Sequence, residues 1–94
     1  MISLVDCIGL CGLTEAEVLA IAEHEHIPEI AAAALASYLL HEQHGSEKIR
    51  DMIRDDIRDA LDRNDTAHAS ELVAALRHFM ADHPELGPGE DIRG

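Results

Sequence analysis

Apolar residues recur at three- and four-residue spacing in four blocks of the chain, and short polar segments separate the blocks. Before the first block stands Thr14-Glu15-Ala16-Glu17, a Thr-x-x-Glu capping box in which each side chain can satisfy the other residue's free backbone N–H. This predicts a first helix over residues 14–25, with Val18, Ile21 and Ala22 as its apolar stripe and Leu19 beside them. Pro28 bars continuation, since it lacks an N–H and clashes with the preceding turn. The same proline suits the first turn of a second helix, predicted over residues 28–43, where Glu29 faces the positive end of the dipole. From Ile30 to Leu40 this helix carries no charge and its apolar residues surround the axis, the pattern of a buried central helix or an interface helix.

His44-Gly45 reads as the close of the second helix and Ser46 as a cap for a third, over residues 46–63. Ile49, Met52, Ile53, Ile57, Ala60 and Leu61 mark its apolar side. Its other side pairs Glu47 with Arg50, Asp51 with Arg54, Asp55 with Arg58 and Asp59 with Arg63, a solvated face of weak ion pairs. Asn64 suits a left-handed C-terminal position and Asp65 an N-cap. A fourth helix follows over residues 66–83, with Ala69, Leu72, Val73, Leu76, Phe79 and Met80 inward, and stops at His83-Pro84.

Connections of a few residues turn successive helices back on one another, so the expected fold is all-α, a compact antiparallel four-helix bundle forming one domain over residues 1–84. GPGEDIRG suggests a disordered tail over residues 85–94. The first 13 residues form an apolar segment: Leu4, Val5, Ile8 and Cys11 would share a helical face, against which Gly9 and Gly12 count.

Length and composition change this picture. A chain of 94 residues buries only about 60–65% of its unfolded surface, so self-association, most simply a homodimer, would help it. Tyr38 and Phe79 are the only large rings, which leaves aliphatic residues and alanine to fill the core. Nineteen acids against seven lysines and arginines give a charge of −12, which opposes nucleic acid and anionic membranes and suits a cation, a metal or a basic protein. Cys7 and Cys11 are too few and too close for a disulfide framework, so they read as buried thiols in a reducing cytoplasm. The apolar opening lacks a basic n-region and is too short to span a membrane.

Candidate chemistry lies in polar residues that interrupt the stripes, because burying one without partners costs several kcal/mol. At about 100° per residue, Glu25 falls one turn beyond Ile21 on the inward line and His26 lies between the lines of Leu19 and Ala22, while Glu23 and His24 point away. Asp56 sits among Met52, Ile53 and Ala60, near the middle of the third stripe. His68 flanks the fourth stripe one step from Leu72, and His83 continues it.

Carboxylates and imidazoles converging in a helical bundle are a common way to hold iron, manganese or zinc. Glu25, His26 and Asp56 are therefore the first candidate ligands, with Glu23 and His68 as auxiliaries. Glu23-x-x-His26 has the spacing used in carboxylate-bridged di-iron bundles. The chain carries one copy, so a homodimer would have to supply the second. The plainer alternative is that Glu25 and His26 close a helix corner and that Asp56 is a buried acid bonded to a backbone N–H or an arginine. His41 and His44 answer the dipole at the end of the second helix, and His78 reads as solvent-facing.

No Gly-rich phosphate loop or nucleophile elbow is present, so an enzyme is disfavoured. Two functions remain: a small acidic protein binding Fe, Mn or Zn through carboxylates and histidines, or a non-catalytic interaction or homo-oligomerisation module without metal.

Overall fold

The computed structural model describes residues 13–86, and over them the fold is all-α. Four helices, α1 (Glu15–Glu25), α2 (Glu29–Leu40), α3 (Gly45–Asp62) and α4 (Thr66–Asp82), are followed by a short 3-10 turn, Pro84–Leu86. Expectations for the apolar N-terminal segment, for Cys7 and Cys11 and for the tail beyond Leu86 lie outside the described residues.

Local chemistry sets the helix ends. Glu17 N–H donates to Thr14 Oγ1 at 3.3 Å and Thr14 N–H donates to Glu17 Oε1 at 2.9 Å, completing the capping box of α1. Asn64 is left-handed with φ of 61°, and Asp65 caps α4 by accepting from His68 N–H at 3.2 Å. The α2–α3 junction departs from expectation. α2 stops at Leu40, and Gly45 opens α3 rather than closing α2, with His44 as its left-handed N-cap. The reason is space. A Cβ on Gly45 would lie 1.5 Å from the Leu39 carbonyl oxygen, so only glycine lets the two backbones approach this closely.

The core is aliphatic apart from one ring. Val18, Ile21, Ile49, Ile53, Leu76 and Phe79 are sealed from solvent, each contributing about 1.5–3 kcal/mol by burial. α1 and α3 each pack against all three other helices, and α3 and α4 share the most extensive pairing.

Helix α2 is therefore not buried all round. Ala32, Ala33, Ala36 and Leu39 form its inner face, but Ile30 is 56% and Tyr38 61% exposed. An uncharged sequence shows that every face could be buried, not that partners exist to cover them. Leu19 and Leu61, both assigned to stripes, also face solvent. On α3, Asp51 takes Arg54 at 3.9 Å, Asp55 takes Arg58 at 3.8 Å and Asp59 holds Arg63 at 3.0 Å, the pairs the spacing predicts, and Arg50 reaches the adjacent Asp51 at 3.1 Å.

Candidate functional site

The last turn of α1 carries Glu23, His24 and Glu25, and His26 then ends the helix in the left-handed region with φ of 57°. The His26 N–H reaches back to the Ala22 carbonyl, as does that of Ile27 at 3.1 Å, so the chain turns sharply toward Pro28. In the expected corner, the side chains lie the other way round. Glu23 and His24 are half-buried, whereas Glu25 and His26 are exposed.

For His24 and His26 the reason is one residue, whereas Glu23 is drawn in by its bond to His68. Glu17 is 1% exposed and belongs to the core of α1 with Val18, Ala20 and Ile21. Counting Glu17 as a solvent-facing cap rotates the apparent stripe toward Leu19 and Ala22. With Glu17 inward, the i, i+4, i+7 line runs Glu17, Ile21, His24, which brings His24 inward and moves the exposed Leu19 and His26 to the opposite side.

Across from this corner, α3 presents Asp56, and Glu23, His24, His26, Asp55, Asp56, Asp59 and Arg63 line a cleft of about 350 Å³. Asp56 is 5% exposed, and its Oδ2 is buried without a hydrogen-bond partner. Burial raises its pKa to about 7, and the nearby charge of Glu23 adds to the rise while His24 opposes it. The expected backbone or arginine partner for a buried acid is thus absent at that oxygen.

Glu23 is divided between two roles. Its Oε1 accepts from His68 Nε2 on α4 at 2.5 Å, and its Oε2 is buried with no partner. His68 Nδ1 also lies 3.5 Å from Glu71 Oε1, and its pKa is raised chiefly by the bond to Glu23. His24 bridges the two walls, with Nδ1 donating to Glu25 Oε2 at 2.8 Å and Nε2 to Asp55 Oδ2 at 3.3 Å. Burial draws its pKa down, but these two bonds outweigh that pull and leave it raised. Of the predicted ligands, Glu23, His26 and Asp56 line one cleft, His68 joins it through Glu23, and Glu25 touches it only through His24. The stripe pattern does not mark His24 or Asp55 as site residues; a buried Glu17 seven residues earlier is the signal for His24.

No protein-family model, curated protein or solved structure matches the chain. Its chemistry must be read from the side chains. Among the described residues, no three His, Cys, Asp or Glu side chains stand together as a formed metal cage. The cleft instead offers two unpaired carboxylate oxygens, with the imidazoles of His24 and His68 tied to neighbouring acids.

The other histidines serve the scaffold. His78 is not merely solvent-facing: its Nδ1 donates to buried Glu17 Oε2 at 2.8 Å and lies 3.6 Å from Asp82. His41 Nδ1 donates to the Ser37 carbonyl at 2.7 Å, the role expected of a histidine at a helix C-terminus. His83 bonds the Phe79 carbonyl at 2.9 Å and stacks on its ring with centroids 4.1 Å apart.

Proposed function

We propose that this chain is a small, non-catalytic helical protein of the cytoplasm that binds a metal cation in the acidic cleft between the end of α1 and the middle of α3. One observation carries the reading: Glu23 Oε2 and Asp56 Oδ2 are both buried and unpartnered, and the two acids repel each other. A buried unsatisfied oxygen costs about 1–3 kcal/mol. A cation taken up beside both would satisfy them and remove their repulsion, so binding would also stabilise the fold by mass action.

The test is elemental analysis of untagged protein together with its thermal shift on adding divalent metals. Bound metal at half an equivalent or more, or a midpoint rise that Asp56→Asn reduces and His78→Ala does not, supports the reading. Less than a tenth of an equivalent of any metal together with no shift from any ion sinks it.

A separate observation favours a second reading, homodimerisation. Ile30, Ala31, Ala34 and Tyr38 are exposed on α2, in a segment without a charge. Two copies that each carry −12 repel least across an uncharged face, and this one qualifies. A dimeric mass in solution that becomes monomeric in Ile30→Glu supports it; a wild-type monomer at high micromolar concentration excludes it. The no-metal interaction module predicted as an alternative rests on this same surface.

A further inference from the structure

Which cation the cleft would take follows from which donor atoms are free, and this inference rests on the cation-binding reading above. The imidazoles are largely spoken for. Both ring nitrogens of His24 face carboxylate oxygens, Glu25 at 2.8 Å and Asp55 at 3.3 Å. Those of His68 face Glu23 at 2.5 Å and Glu71 at 3.5 Å. A carboxylate only accepts, so a nitrogen bonded to it donates a proton and has no lone pair for a metal.

Apart from the exposed imidazole of His26 at the helix end, the free donors of the cleft are oxygens. Asp56 is an acid more than nine-tenths buried, with Oδ2 unpartnered in the cleft lining, and Glu23 Oε2 is buried and equally bare. Asp55 and Asp59 stand on the same wall. Zinc sites draw on three or four protein ligands, usually with nitrogen or sulfur among them. Two carboxylates completed by water are what magnesium accepts, and manganese(II) shares its preference for oxygen. The open cleft leaves room for those waters.

We infer that the cleft selects a hard, oxygen-preferring divalent cation, magnesium or manganese(II), bound directly by Glu23 and Asp56. His24 and His68 are positioning residues that hold Asp55 and Glu23 in place without touching the ion. Their part resembles the outer-shell support that orients metal-binding carboxylates elsewhere. Histidine-rich as the corner is, His24 and His68 brace the acids.

Manganese(II) titrated into the full chain, followed by pulsed electron paramagnetic resonance, tests this. The bound ion should show exchangeable water and no coupling to a directly ligated ¹⁴N. Affinity should fall about thirtyfold or more in Asp56→Asn and in Glu23→Gln, and about tenfold in His24→Gln or His68→Gln, the loss typical of an outer-shell change. The wild-type spectrum needs no variant to fold, so the test does not depend on their stability. A ¹⁴N coupling that disappears in His26→Ala or His24→Gln overturns the inference and leaves the cation-binding reading standing, as does binding of zinc without manganese or magnesium. Failure of every one of these ions to bind overturns both.

Discussion

His68 on α4 donates to Glu23 in the last turn of α1 at 2.5 Å, across 45 positions of sequence, and it holds only one of the two carboxylate oxygens. This bond ties the end of α1 to the first turn of α4 and leaves Glu23 Oε2 without a partner, in a carboxylate whose charge Asp56 feels. Both partners are about a third exposed, so the link belongs with partly solvated ion pairs. A double-mutant cycle on Glu23→Gln and His68→Gln should give a coupling of about 0.5–1 kcal/mol at pH 6 and much less at pH 9, where the imidazole is neutral. Equal coupling at both pH values would mean that the charge contributes nothing.

Asp56 should make the metal-free protein less stable as pH rises. Its pKa climbs from 3.8 to about 7 on folding, so the folded state holds the proton more tightly. The resulting stability is full below about pH 4 and is lost progressively up to about pH 7. His24, His68 and His78 are also raised in the fold, and their contribution is full below about pH 6.5 and fades as pH passes their raised values. The signs agree. With chelator present, thermal midpoints should fall steadily from pH 5 to pH 8.

Neutralising the acid isolates its share. Asp56→Asn should stabilise the metal-free protein at pH 8 by about 1–2 kcal/mol, from relief of a buried unpaired charge, and do little at pH 4.5. Urea melts at the two pH values measure this, and equal effects at both would assign the change to packing.

Gly45→Ala should destabilise by about 3 kcal/mol or more, toward the severe end of overpacking, because the new methyl would overlap the Leu39 carbonyl and both atoms belong to backbone. Ser46→Ala should cost little by comparison, since α3 begins before it. A larger loss at Ser46 than at Gly45 would restore serine as the cap.

Glu17 joins the cap of α1 to α4. Glu17→Ala removes an acceptor for Thr14 N–H and for His78, and should cost about 2–3 kcal/mol in denaturant unfolding. Glu17→Gln, which still accepts from Thr14 N–H, should lose less. His78→Ala should also lose less, but its effect should vanish in the Glu17→Ala background.

What the sequence by itself determined is local. Thr14 with Glu17, Pro28, Asn64 and Asp65 each act within one turn, and the ends they predict for α1 and α4 and the start of α2 agree with the fold to within a residue. Spacing also singled out Asp56 as an acid on an apolar stripe, because periodicity along one helix requires no neighbour to be known.

The tertiary structure decided what depends on which surfaces meet. Glu17 satisfies a capping pattern whether it faces water or core, and only the packing of α4 with His78 over it settled the matter. That choice rotates the stripe of α1, turning His24 inward and leaving His26 exposed, while Glu25 is exposed in the last turn of the helix although it stays on the line of Ile21. The partnership of Glu23 with His68, the nearness of Glu23 to Asp56, and the exposure of α2 likewise come from elements far apart in sequence. A helical period fixes the angle between side chains on one axis, but the direction of the whole set is fixed only by the helices packed against it.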